Sequence, residues 1–299
     1  AAARGAVEDG SATIAIVLPP GLGATTPPTA ATTFTVITEG LDPTGEAGQV
    51  GSLQKAMLSV AASLAGRPLP ALRHVTVFGV PSSDPITTYA PAIVGFLVYF
   101  FVYILTGVSF LRERTGGTLE RLLATPVTRG EIVAGYTLGF GVFAVIQVVV
   151  MLLWSLGTLT VPAVGPLSSF RLGLGIELAG SPLLAFLVVL LAAVGALCLA
   201  IFLSTFARTE LQIVQFIPIV IVPQFLLSGI LFPVDSLPDV LKPVAPFLPL
   251  SYAVDGLRQV FVRGADLGLP ALQLDLLVLA AFALFFAFIA SLTIRRDVV

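Results

Sequence analysis

The chain has 299 residues, of which 57% are hydrophobic and only 11% charged, with a mean hydropathy of +1.02. A soluble domain carries about a quarter charged residues and roughly 45–50% apolar ones, so this composition excludes a plain cytosolic enzyme. Lys and Arg number 15 against 17 Asp and Glu, a net charge of -2 that offers no basic face for nucleic acid.

The sequence opens Ala1-Ala2-Ala3-Arg4 without an initiator methionine, and its first thirty residues lack the basic start and apolar core of a signal peptide. Residues 1–88 are rich in Pro, Gly and Thr. The runs Thr13–Leu18 and Thr33–Thr38 read as strands, kept apart by Pro19-Pro20-Gly21 and Pro27-Pro28. Leu53, Met57, Val60, Ala61 and Leu64 share one face of a predicted helix, and His74–Phe78 reads as a third strand. The result is a small α+β domain. His74 is the only histidine and Cys198 the only cysteine, so neither a His/Cys metal set nor an internal disulfide is expected. The segment carries no Gly-x-Ser-x-Gly elbow or other catalytic constellation.

Beyond residue 88, five uncharged runs each reach the roughly 20 residues needed to cross ~30 Å of hydrocarbon. They predict spans near 89–111, 132–156, 182–206, 211–232 and 276–294. The fold class is therefore an α-helical polytopic membrane protein with a small α+β external domain. Arginine placement orients it. Arg112, Arg114, Arg121 and Arg129 fall between the first two spans, Arg208 follows the third, and Arg295-Arg296 close the chain. These links read as cytoplasmic and the C-terminus with them. The 160–181 and 235–275 links, poor in basic residues, read as external, as do residues 1–88. A polar domain on that side is most simply delivered by an upstream helix, so six spans are expected in an intact protein.

The link between the first two spans is the most informative stretch. Gly116-Gly117 breaks the helix, Thr118 is positioned to cap a new one, and Leu119, Leu122 and Leu123 recur at i, i+3, i+4. Thr125-Pro126 ends this short helix, and Thr128-Arg129-Gly130-Glu131 matches a capping box for the next span. Two readings are open for the 113–124 element: an interfacial helix resting on lipid headgroups, or a docking helix set into a groove of a cytosolic partner.

Within the spans the polar residues are Gln147, Gln212, Gln215 and Gln224, read as interhelical hydrogen-bonding groups or as the lining of a substrate path. No charge falls in the middle of any span, which argues against a proton- or sodium-driven carrier. Pro218 and Pro223 loosen the fourth span. In the external 235–270 segment, Val254, Leu257, Val260 and Phe261 make one helical face beside Asp255, Arg258 and Gln259, with Asp255 and Arg258 spaced to pair. An external gate and a static plug fit this pattern equally.

Certain of these residues resemble a known family. Glu113-Arg114-x-x-Gly117-Thr118-x-Glu120-x-Leu122-x-x-Thr125-Pro126 is similar to the first cytoplasmic loop of ABC-2 type permeases, the membrane subunits of ABC exporters. Leu203-Ser204-x-x-Ala207-Arg208-x-x-x-Gln212 resembles that family's short loop between its fourth and fifth helices. Ser228-Gly229-x-x-Phe232-Pro233 and Leu248-Pro249-Leu250-Ser251-Tyr252-x-x-Asp255-x-Leu257-Arg258 resemble its late external segment.

The resemblance implies two permease copies, each with a separate ATPase subunit on its cytoplasmic face. It implies a coupling helix formed by Glu113, Arg114, Gly117, Thr118, Leu119, Glu120, Leu122 and Leu123. The substrate-path candidates are then Gln147, Gln215, Gln224, Pro218 and Pro223, and the external gate candidates Phe232, Tyr252, Asp255 and Arg258. The chain has no Gly-x-x-x-x-Gly-Lys-Ser/Thr loop. It is thus expected to be non-catalytic, without a cofactor of its own, with ATP and Mg held by the partner. The expected function is outward movement of an amphipathic, drug-like or lipid-like substrate across the cell membrane. An ATP-independent channel or carrier predicts inverted repeats and intramembrane ionisable residues. A membrane-anchored receptor or assembly factor places the activity in residues 1–88.

Overall fold

The computed structural model describes residues 2–8, 11–18, 33–40, 43–63, 71–77, 85–161, 170–231, 234 and 237–294. The chain divides into two compact units, Ala1–Pro85 and Ile86–Val299.

In the first unit, helix α1 (Ala2–Glu8) precedes strands β1 (Ile14–Val17) and β2 (Thr33–Thr38), which pair antiparallel. Helix α2 (Pro43–Ser63) then returns the chain to β3 (Ala71–Thr76), parallel to β2 from Thr33↔Ala71 to Thr38↔Thr76. A parallel pair requires such a crossover, and the order β1-β2-β3 leaves β2 central. Val7, Val36 and Ile37 are buried here. Two sequence expectations shift. The third strand begins at Ala71 rather than His74, and Phe78 lies outside the described residues. The helix begins at Pro43, ten residues before the apolar pattern, because Pro43 suits a first turn and Glu46 favours a helix N-terminus. Glu46 is buried and accepts hydrogen bonds from Thr38 Oγ1 (2.5 Å) and the Gly40 amide (2.6 Å), which ties that turn to β2.

The second unit is a helical bundle that has, among the described residues, five helices or helical segments long and apolar enough to cross a membrane. Helix α3 spans Pro85–Thr115, and the short α4 (Thr118–Leu123) links it to α5 (Arg129–Leu156). A hairpin of β4 (Leu159–Val161) and β5 (Phe170–Leu172), unforeseen from sequence, leads toward α6 (Pro182–Ser204). The fourth span is segmented: α7 (Glu210–Phe216), a π turn (Ile217–Ile221) and α8 (Val222–Leu227). The π turn has a cause in the sequence. Pro218 has no amide to donate and its ring crowds the carbonyl four residues back, so the backbone widens there.

Helix α6 sits at the centre, packed against α5, α9 and α10. Its Ala185, Ala192, Ala193, Gly195, Ala196 and Ala200 let neighbouring backbones approach, as small residues do in membrane bundles. The segment after α8 contains a 3-10 turn (Lys242–Phe247), helix α9 (Pro249–Arg258) and a second π turn (Gln259–Arg263). Val254, Leu257, Val260 and Phe261 are buried as their spacing predicts. Gln259, placed by sequence on the polar side, is also buried, because α9 is packed by α6, α8 and α10 together.

The last helix, α10 (Pro270–Thr293), starts six residues before the expected 276, so Asp275 enters the helix that spans. The fourth helix ends at Leu227 rather than near 232. Arg295 and Arg296 lie outside the described residues.

Candidate functional site

Successive helical residues point about 100° apart, so Arg112, Glu113 and Arg114 at the end of α3 reach three different elements. Arg112 makes a forked pair with Glu210 at the start of α7, Nε to Oε1 at 2.7 Å and Nη2 to Oε2 at 3.1 Å. Glu113 accepts from the Tyr136 hydroxyl of α5 at 2.7 Å. Arg114 donates through Nη1 to the Thr205 carbonyl and through Nη2 to the Ala207 carbonyl, in the turn joining α6 to α7.

That turn has its own order. Thr209 N-caps α7, and Gln212 Oε1 accepts from the Arg208 amide at 2.6 Å. Ser204 Oγ lies 2.6 Å from the Ala200 carbonyl and 3.0 Å from the Gly107 carbonyl of α3. Gly107 permits this approach, since a Cβ there would stand 3.0 Å from Ile213 Cγ2 of α7. Two sequence motifs some ninety residues apart thus form one junction at one end of the bundle.

Helix α4 projects from the same junction. Its N-cap is Gly117 at φ 78, a left-handed conformation suited to glycine, and Thr118 is the first helical residue rather than the cap. The three leucines do not present one common outward face. Leu119 is 4% exposed, in the core that also holds Ile132 and Val133, and Leu123 is half-buried against that core. Leu122 is 37% exposed and stands outward with Thr118, Glu120 and Arg121. A six-residue helix cannot stay folded alone in water, so Leu119 and Leu123 anchor it while the opposite side is left open. The capping box at Thr128 is formed: its side chain accepts from the Glu131 amide, and Glu131 accepts in return from the Thr128 amide at 2.7 Å.

Of the path candidates, Gln147 and Gln224 both turn toward α3. Gln147 Nε2 makes a long 3.4 Å bond to the Val98 carbonyl, and Gln224, 3% exposed, donates to the Tyr99 hydroxyl at 3.2 Å. Gln215 and Pro218 are exposed on the other side of that span, and Pro223 is half-buried at the start of α8. Sequence reasoning passed over Tyr99 and Tyr103, both fully buried, the latter with a hydroxyl that has no hydrogen-bond partner among the described residues. Two tyrosines at i, i+4 in an apolar span were the available signal.

Among the gate candidates, Tyr252 donates to the Pro246 carbonyl at 2.9 Å. Arg258 Nη2 donates to the Gly229 carbonyl at 2.7 Å, which ties α9 to the turn after α8, and no Asp255–Arg258 ion pair forms among the described residues. Asp255 accepts instead from Gln259. Phe232 lies outside the described residues. No group of three or more His, Cys, Asp or Glu side chains that would hold a metal exists among the described residues.

A family model described as an ABC-2 family transporter protein matches residues 1–292. The chain belongs to the ABC-2 transporter family. It is similar to ABC transporter G family member 20 of Dictyostelium discoideum, 28% identical over 221 residues, covering 74% of this chain and 28% of that protein. The inner membrane transport permease YhhJ of Escherichia coli is 29% identical over 196 residues, 65% of this chain and 48% of YhhJ. The linearmycin resistance permease protein LnrN of Bacillus subtilis is 27% identical over 199 residues, 66% of this chain and 48% of LnrN. The chain thus spans about half the length, or less, of these relatives. With five candidate spans among its described residues, this ABC-2 family chain is a multi-pass membrane protein.

Proposed function

We propose that this ABC-2 permease is the membrane subunit of an ATP-driven exporter, with α4 as the contact for a separate ATPase subunit on the cytoplasmic side. The observation that carries the reading is the open side of α4. Glu120, Arg121 and Leu122 stand outward from a helix whose own leucines fasten it to the bundle. ATP and Mg belong to the partner, and a second copy of the permease completes the membrane part. Residues 1–88 lie outside the cell and the C-terminus inside, in the orientation that the arginines favour.

Transmission follows from the contacts. A push on α4 reaches the end of α3, and Arg112 and Arg114 hand it to Glu210 and to the turn before α7. The π turn at Ile217–Ile221 is where movement of α7 separates from α8. The Gln224–Tyr99 bond between α8 and α3 is the contact that opens. An amphipathic, drug-like or lipid-like substrate suits walls this apolar, and the naming of LnrN for linearmycin resistance supports the same class.

The test is Leu122→Asp in the complex purified from its native membrane. Insertion and dimer formation are expected to persist while stimulation of the co-purifying ATPase is lost. Full stimulation by the variant, or a clean preparation without any ATPase, overturns the reading.

A further inference from the structure

Two successive turns of α3 carry the same four-residue pattern. Phe96-Leu97-Val98-Tyr99 and Phe100-Phe101-Val102-Tyr103 differ only where Leu97 gives way to Phe101. Residues four apart share a face of a helix, so Phe96 and Tyr99 are repeated by Phe100 and Tyr103 about 6 Å further along the axis. Helix α8 sits on the first of these two turns. Its Gln224 Nε2 donates to the Tyr99 hydroxyl at 3.2 Å, and the ring centroid of the adjacent Phe225 is 4.6 Å from that of Phe96.

The second turn offers the same groups unused. Phe100 is half-buried, and Tyr103 is fully buried with a hydroxyl that has no hydrogen-bond partner among the described residues. A matching group is unused on α8. Gln224 Nε2 also donates to the Val220 carbonyl at 3.2 Å, which fixes the nitrogen end of the amide. Its Oε1 is buried without a partner among the described residues. Buried polar groups left unpaired are costly and uncommon. These two are complementary: the phenol donates, the amide oxygen accepts, and one hydrogen bond between them satisfies both.

We propose that the repeat gives α8 two seats on α3, one turn apart, and that Gln224 and Phe225 pass from Tyr99 and Phe96 to Tyr103 and Phe100. The exchange is close to balanced, because each seat pairs one buried tyrosine, leaves the other bare and packs Phe225 on one phenylalanine. Interdigitated side chains make such a shift a step of a whole turn rather than a continuous slide. The segment is divided accordingly. The π turn Ile217–Ile221 separates α8 from α7, which is tied to the end of α3 through Arg112 and Glu210. Beyond α8, Gly229 at φ 81 accepts from Arg258 of α9. Helix α8 is thereby held on the α9 side while α3 moves past it. The two seats follow from the α3–α8 contacts alone; that ATP drives the passage rests on the function proposed above.

The experiment is disulfide formation within the full chain in native membranes, with linked peptides identified by mass spectrometry. A disulfide needs Cβ atoms about 3.5–4.5 Å apart, so it separates seats one turn apart. Phe96→Cys with Phe225→Cys is expected to link in the first seat, and Phe100→Cys with Phe225→Cys in the second. Phe101→Cys with Phe225→Cys is expected to stay reduced, since position 101 is 51% exposed on another side of α3. Adding Tyr103→Phe to the second pair is expected to lower its linkage about fivefold, and adding Tyr99→Phe to raise it by a similar factor. Should the cysteine pairs fail to insert, the two phenylalanine variants alone decide. Tyr103→Phe is expected to keep the wild-type Tm, because the hydroxyl it removes is unpaired in the first seat, whereas Tyr99→Phe lowers Tm. No linkage of the second pair, linkage indifferent to Tyr103→Phe, or a lower Tm for Tyr103→Phe than for Tyr99→Phe overturns the proposal. Second-pair linkage that does not respond to ATP upholds the two seats and counts against the exporter reading instead.

Discussion

Arg114 bonds backbone carbonyls, whereas its neighbour Arg112 bonds a carboxylate in water, and the two arginines differ accordingly in weight. Ala207 is fully buried and Thr205 half-buried, so removing the guanidinium leaves two carbonyls short of a donor at a site only partly open to water. Arg114→Ala is expected to cost about 2 kcal/mol, read as a fall in Tm. Arg114→Lys restores only part of it, because one ammonium does not span two carbonyls as a planar fork does. The Arg112–Glu210 pair has both side chains more than half exposed, at 66% and 52%. Screening and side-chain entropy offset most of its attraction, so Arg112→Ala is expected to leave Tm within error at high salt. Equal losses from the two alanine variants would refute this division.

The fourth span shows how one residue type shapes a whole element. Its π turn surrounds Pro218, and a second proline, Pro223, stands at the start of α8. Pro218→Ala returns a backbone donor, so a continuous α-helix is expected from Glu210 to Leu227, with slowed amide exchange over 217–221 measured by mass spectrometry. Unchanged exchange would mean that packing rather than proline sets the π turn. Such local effects were readable from sequence because they are covalent, as were the Thr128 capping box and the apolar runs. Tertiary effects were not. Leu119 and Leu122 are equivalent in a helical pattern, and only burial in the core that also holds Ile132 and Val133 separates the anchor from the outward residue. The Arg112–Arg114 contacts depend on residues some ninety positions away, which no local pattern encodes. Asp275 looked like a span boundary because charge was used to define the boundary, while α10 in fact begins at Pro270.

At the scale of the molecule, burial is uneven: α6 is the most enclosed span, whereas α5, the α7–α8 segment and α10 are mostly open. Open apolar faces suit lipid, but the α7–α8 segment also carries Gln215 among exposed Leu211, Val214 and Ile219. An amide in hydrocarbon is unfavourable unless it finds a partner. In the proposed dimer that partner is the same residue of the second copy, since a two-fold interface sets identical positions against each other. The chain is suited to a cross-linking test, because its only cysteine, Cys198, is buried. Gln215→Cys is expected to give a disulfide-linked dimer on mild oxidation in native membranes. Leu284→Cys on α10, at a position 72% exposed, is expected to remain monomeric under the same treatment. Gln215→Leu is then expected to weaken the dimer only modestly, because interhelical hydrogen bonds in membranes average about 0.6 kcal/mol. The reverse cross-linking pattern would transfer the interface to α10 and leave Gln215 to the substrate path.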